Sequence, residues 1–173
     1  MANNLVRILI WLVMLIGGAI LGIFIDASKF SVLQSSIVWH ILSFIVGLAL
    51  LKLVLTISRN TGRWLAKLGR EGDIPRMQTN RLAKEGPYSC MRHPMHMGLF
   101  LFPFVMAFLI GSVSFILIIA PLEVLLMIIM IIFLEEPEAI KKFGNEYKEY
   151  MKQTPRFNLN SNCLQYLLID PKK

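Results

Sequence analysis

Gly86-Pro87-Tyr88-Ser89-Cys90-Met91-Arg92-His93-Pro94-Met95-His96-Met97-Gly98 stands where a long basic segment turns into an apolar run. His93 precedes a proline, so the right-handed helical region is disfavoured for it. Pro94 has no N–H to lose and a φ already set for a helix, which suits the first helical position. The stretch therefore predicts a helix that starts at Pro94 and enters a membrane over 94–110. The N-terminus of such a helix leaves N–H groups unpaired and carries a partial positive charge, with Arg92 and His93 beside it. That arrangement suits a carboxylate or a phosphate at a membrane surface. The plainer alternative is an arginine that only anchors a span.

The composition around this stretch sets the class. The chain has 173 residues, of which 55% are hydrophobic, and a mean hydropathy of +0.61. That is too apolar for an ordinary water-soluble domain of this length. The net charge of +7 does not point to nucleic acid, because the basic residues lie in segments between apolar runs. A protein facing an anionic leaflet explains that placement. Cys90 and Cys163 are the two cysteines; they give no disulfide framework and, with scattered histidines, no metal-ligand spacing. No metal is expected, and a single membrane domain is expected over 1–173.

Four apolar runs follow. The first, 8–25, has Arg7 at its entrance. Its small residues Gly17, Gly18 and Ala19 resemble a signal-peptide end, but the run stays apolar beyond them and predicts an uncleaved span. The second, 37–57, carries His40 and Lys52, the latter able to snorkel to the interface. The segment 58–93 is longer than a connection requires. It holds Arg59, Arg63, Lys67, Arg70, Arg76, Arg81, Lys84 and Arg92 against Glu71, Asp73 and Glu85. Trp64, Leu65 and Leu68 predict a short helix in the headgroup region there.

The third run, 94–110, is 17 residues, or about 25 Å as a helix, and Pro103 should kink it. A tight turn at 111–114 leads into the fourth run, 115–134, about 30 Å long. The turn makes these two runs an antiparallel hairpin, which brings Glu135 and Glu136 back to the surface from which Pro94 departs. In the tail, 135–173, Ile140, Phe143, Tyr147 and Tyr150 recur at helical spacing and predict an amphipathic helix. The fold class is all-α: a multi-pass membrane protein with four spans, a C-terminal helical hairpin and a cytoplasmic amphipathic helix. The bias of Lys and Arg toward 58–93 and the tail places both termini in the cytoplasm.

The ordered series Gly86-Pro87-Tyr88, Arg92-His93-Pro94, Gly98, an apolar hairpin, Glu135-Glu136, Phe143-Gly144-x-x-Tyr147, Tyr150 and Pro155-Arg156-Phe157 resembles the isoprenylcysteine carboxyl methyltransferase family. It also resembles the related phospholipid N-methyltransferases, in which a Glu-Glu-Pro also occurs. The resemblance covers roughly 84–157. It implies S-adenosylmethionine as methyl donor, membrane lipids as surroundings and a lipidic or membrane-partitioned acceptor. It implies donor contacts from Tyr88, Arg92, His93, Pro94, Gly98, Glu135, Glu136 and Tyr147, and catalytic roles for Arg92, His96, Glu135 and Glu136. The donor's carboxylate would suit Arg92 or His93 and the Pro94 helix end. Its ammonium and sulfonium would suit the two glutamates, and Tyr88 or Tyr147 would face the cation or the adenine.

The chain departs from this family twice. His96 stands where the family shows tyrosine, and no arginine precedes the glutamate pair in Met130-Ile131-Ile132-Phe133-Leu134. Arg156 is a possible substitute partner for a substrate carboxylate. Two other classes compete: an NADPH-dependent membrane reductase of the sterol-reductase type, and a non-enzymatic membrane protein. No obligate protein partner is implied, and a prokaryotic plasma membrane suits the chain better than endoplasmic reticulum. Glu123, near mid-span in the fourth run, is the costliest residue; His40 or Ser43 is its expected partner.

Overall fold

A computed structural model describes residues 2–75 and 78–171, with the side chains of 2–5, 7 and 8 outside that description. Arg76 and the Arg7 side chain, both named above, and Lys172–Lys173 at the end of the tail lie outside the described residues. Among the described residues the regular structure is helical: α1 (Ala2–Lys29), α2 (Ser31–Gln34), α3 (Ile37–Leu68), α4 (Pro87–Cys90), α5 (Pro94–Leu99), α6 (Phe102–Ile110), α7 (Ala120–Met130), α8 (Glu136–Phe143), α9 (Asn145–Gln153) and α10 (Ser161–Tyr166). π-Helical turns at Phe115–Ile119 and Ile131–Glu135 join α7 to its neighbours. Among the described residues three helices are long and apolar enough to cross a membrane: Leu9–Lys29, Ile37–Leu68 and Phe115–Phe143; Pro94–Ile110 is apolar but shorter. Their outward residues are large and apolar, with Val13 71%, Phe24 76%, Ile37 75% and Leu117 64% exposed. In water such surfaces would aggregate; in lipid they are solvated.

The chain divides into two compact units, one of residues 1–52 and 100–129, the other of 53–99 and 130–173. In the first unit Ala107, Phe115, Ile119 and Ala120 form the core. The first apolar run is helical for longer than expected, because Asp26 is useful inside the helix: its carboxylate accepts the Ser114 N–H at 2.8 Å and is 2% exposed. A buried acid at a helix start satisfies an orphan donor and complements the helix dipole. The 111–114 turn forms as expected, with Gly111 N–H donating to Ala107 and Trp39 Nε1 donating to the Gly111 carbonyl at 2.7 Å.

Glu123 does not meet either expected partner. His40 Nε2 lies 2.8 Å from the Gln34 carbonyl, and the Ser43 hydroxyl donates to Phe108 at 2.6 Å. Both polar side chains are held by carbonyls at helix ends, which lack intrahelical donors. Glu123 is instead buried against Gly18 of α1.

In the second unit Ile57, Met91, Cys163 and Leu167 form a core. The helix expected in the headgroup region at Trp64, Leu65 and Leu68 is the continuation of α3, since nothing between 37 and 68 breaks a helix strongly enough. The third run breaks at Phe100–Leu101, just before Pro103, whose missing N–H and ring disrupt the preceding turn. The expected amphipathic helix after Glu136 is two helices. Gly144, at φ +58°, separates α8 from α9 in a conformation that side chains rarely adopt. Tyr147 and Tyr150, 4% and 5% exposed, face inward rather than toward an interface.

Cys90 and Cys163 are joined by a disulfide across 73 residues. This corrects the expectation of no disulfide framework: the two cysteines, far apart in sequence, are brought together by the fold. The pairing follows from α10 packing on α4, while the segment after α10 folds back on α3, where Asn60 Nδ2 donates to the Leu167 carbonyl at 3.3 Å and Arg63 pairs with Asp170.

Candidate functional site

The site lies in the second unit and is assembled from the 86–98 stretch, the π-turn before α8, α9 and the segment after it. Pro87 starts α4 at its first turn, and the Trp64 ring packs so close to Gly86 that a Cβ would meet it at 2.9 Å. Tyr88 is buried, its hydroxyl 3.4 Å from the Thr61 carbonyl, while the Tyr150 hydroxyl donates to the Tyr88 carbonyl. Burial pushes both phenols above their ordinary range. Met91 is extended, and the next two N–H groups pair with the tail: Arg92 with the Pro155 carbonyl at 2.9 Å, His93 with that of Arg156 at 3.3 Å. The Arg-His pair is thus set by backbone pairing with the segment that carries Arg156.

Glu136 is the centre of charge. Arg92 Nη2 reaches its Oε1 at 2.6 Å and Nε reaches it at 3.2 Å. Arg156 forms a bidentate pair, Nε to Oε1 at 2.9 Å and Nη2 to Oε2 at 2.8 Å. The Arg92 and Glu136 side chains are 6% and 5% exposed. Arg92 Nη1 donates to the Thr154 and Met151 carbonyls at 2.7 and 3.2 Å. Arg92 therefore directs its donors inward, and the Glu136 hydrogen bond raises the Arg156 pKa further.

Glu135 is different: its side chain is 31% exposed. His96 Nε2 lies 3.2 Å from its Oε1, and His93 Nδ1 lies 3.8 Å from its Oε2. The other His93 nitrogen, Nε2, stands 3.4 Å from Glu136 Oε1 without hydrogen-bond alignment. Burial, helped by the neighbouring His96, lowers the His93 pKa to about 4, against the opposite pull of Glu135 and Glu136. His93 is neutral at pH 7.

These groups border a groove of about 270 Å³, at the small end for ligand sites, lined also by Leu65, Arg81, Tyr88, Pro94, Phe143 and Tyr147. Of the residues singled out in the sequence, Tyr88, Arg92, His93, Pro94, His96, Glu135 and Tyr147 line it, and Glu136 sits behind it. Gly98 does not line it: a Cβ there would meet Ile57 at 2.7 Å, so it serves close packing on α3. Arg156, expected as a substitute partner for a substrate carboxylate, pairs instead with the chain's own Glu136, which its place in Pro155-Arg156-Phe157 does not announce. Phe143 and Arg81 carried no site signal beyond aromatic spacing and charge.

The family model for phospholipid methyltransferases matches residues 42–146, more than half of the chain. The chain belongs to the phospholipid methyltransferase family. No curated protein and no solved structure matches it. The matched segment of this methyltransferase contains Arg92, His93, His96, Glu135 and Glu136, while Tyr147 and Arg156 lie just beyond it. Membership, together with the three apolar helices, makes the chain an integral membrane methyltransferase that acts on lipid-type substrates.

Proposed function

We propose that this protein transfers the methyl group of S-adenosylmethionine to a lipidic acceptor at the cytoplasmic membrane face, with the groove as donor site. The observation that carries this reading is the convergence of Glu135, His93 and His96 on one groove, inside the segment matched by the family. The donor has two cationic centres, a carboxylate and a flat base. Glu135 offers a partly exposed carboxylate to the cations, and the Tyr147 and Phe143 rings offer faces to a cation or an adenine. The residues fit the group. S-adenosylmethionine supplies an activated methyl carbon, so the protein's work is alignment, exclusion of water and charge complementarity.

Within this reading Glu135 touches the donor and Glu136 positions it. Glu136 is consumed by two guanidiniums, and Arg92 by Glu136 and two carbonyls. The donor carboxylate then falls to Arg81, an exposed guanidinium on the groove lining. His96, against Glu135, stands to take the proton of an acceptor that must lose one.

Protein in nanodiscs of mixed phospholipids, given methyl-labelled S-adenosylmethionine, should move label into the lipid phase, and S-adenosylhomocysteine should bind. A folded protein that binds no S-adenosylhomocysteine would overturn the donor assignment. For orientation, an exposed cysteine replacing Ser89 should react with an impermeant thiol reagent only after permeabilisation, and one replacing Ser28 from outside. The reverse pattern would place the groove away from the cytosol.

A further inference from the structure

We propose that His93, His96 and Glu135 form a binding site for a divalent ion of the Zn²⁺ type. One ligand atom from each of the three residues lies within 4.8 Å of the others. Both imidazoles present a nitrogen to the same carboxylate, His96 Nε2 at 3.2 Å and His93 Nδ1 at 3.8 Å from its two oxygens. In a tetrahedral zinc site with bonds of ~2.0–2.1 Å, neighbouring ligand atoms stand ~3.3 Å apart. The arrangement is therefore close to metal-ready and needs side-chain adjustments of about an ångström.

The local fold explains why the ligands converge. His93 immediately precedes α5 and His96 lies in its first turn, and a helix brings the side chains of its cap position and of the third residue beyond it to the same side. Glu135 arrives from the π-turn Ile131–Glu135, and π-turns re-aim side chains that a regular helix would send elsewhere. The sequence showed no metal pattern because the third ligand is far along the chain.

The surroundings supply a second, independent observation. Metal-bound histidine characteristically turns its other ring N–H to a carboxylate, which fixes the tautomer and strengthens the ligand. His93 Nε2 is buried, lacks an aligned hydrogen bond and stands 3.4 Å from Glu136 Oε1. Glu136 is itself held by Arg92 and Arg156. Two imidazole nitrogens and one carboxylate oxygen suit a borderline ion and disfavour Mg²⁺ and Ca²⁺, which prefer all-oxygen shells. Three protein ligands leave a position open toward the groove. The site shares His93, His96 and Glu135 with the groove proposed for the donor, but it does not rest on methyl transfer.

The test uses protein purified without a histidine tag, stripped with chelator and kept free of donor. Co²⁺ titration followed by visible absorption and Zn²⁺ titration by calorimetry should each give one saturable site, with Zn²⁺ displacing Co²⁺ and Mg²⁺ displacing neither. Glu135→Gln and His96→Gln should each weaken Zn²⁺ at least about tenfold while keeping a cooperative thermal transition. His40→Ala should leave it unchanged. No saturable Zn²⁺ binding by the wild type, retention in both site variants, or loss in His40→Ala would overturn the proposal. None of these readouts involves methyl transfer, so the donor reading stands or falls separately.

Discussion

Arg92 and Glu136 stand 2.6 Å apart although 44 residues separate them in sequence. The adjacent Glu135 points the other way, to His96 and the groove. Two neighbouring glutamates thus have different physical jobs, and substitution should separate them. Glu136→Gln leaves the buried Arg92 guanidinium without its counter-charge, a change that costs about 3–5 kcal/mol when a buried pair is broken. A markedly lower unfolding midpoint is expected, seen by thermal denaturation in detergent. Glu135→Gln should keep the midpoint and weaken S-adenosylhomocysteine by about 1–3 kcal/mol, the loss of a charge-assisted contact. Equal effects of the two variants on both readouts would show that the division of labour is wrong.

His93 makes stability depend on pH in metal-free protein. Its pKa is lowered to about 4 in the folded chain and is about 6.5 in an unfolded one. Between those values the unfolded state binds more protons, so stability rises with pH through this window. The contribution is complete above about pH 6.5 and is lost progressively as pH falls toward 4, on the order of 3 kcal/mol in all. Unfolding midpoints in chelator from pH 7.5 to pH 4.5 should fall less steeply for His93→Gln than for the wild type. Parallel slopes would mean that His93 is not held neutral.

What was legible in the sequence follows from what local chemistry can encode. Apolar length gave the helices, and Pro94 gave the start of α5. The Gly111 turn, with its short polar linker, predicted that the 86–98 stretch and Glu135–Glu136 would meet, and Arg92 does meet Glu136. Register was not legible. That Glu136 rather than Glu135 turns to the arginines depends on the π-turn at Ile131–Glu135, which adds a residue to the helical repeat without any breaker to announce it. The tail's role was equally hidden, because Arg156 acts through backbone pairing of Pro155 and Arg156 with Arg92 and His93, a contact between distant irregular segments.

The Cys90–Cys163 disulfide ties α10 to the stretch that carries Arg92. Closing a loop of this length stabilises by about 4 kcal/mol in the chain-entropy picture. Reductant should therefore lower the unfolding midpoint, and Cys163→Ser should lower it equally and abolish the response to reductant. An unchanged midpoint with reductant, with free thiols counted before and after, would show that docking of the segment after α10 on Asn60, Arg63 and Trp64 suffices alone.

Glu123 is 3% exposed, and both of its carboxylate oxygens are buried without a hydrogen-bond partner among the described residues. It fits because position 18 is glycine: a Cβ there would stand 2.4 Å from Oε1 and 3.0 Å from the Ile119 side chain. A buried polar group with no partner costs more than it contributes, whereas an apolar group of similar shape is neutral or stabilising. Glu123→Met should therefore keep or raise the unfolding midpoint. Gly18→Ala should lower it by about 1–3 kcal/mol, the usual cost of forcing a methyl group into a packed contact. The double variant separates sterics from charge: the flexible methionine can give way where Ile119 and a carboxylate cannot, so part of the Gly18→Ala loss should return. A midpoint that falls sharply in Glu123→Met alone would show that the carboxyl group is bonded in the membrane after all. In that case the contact with Gly18 would not be its main restraint.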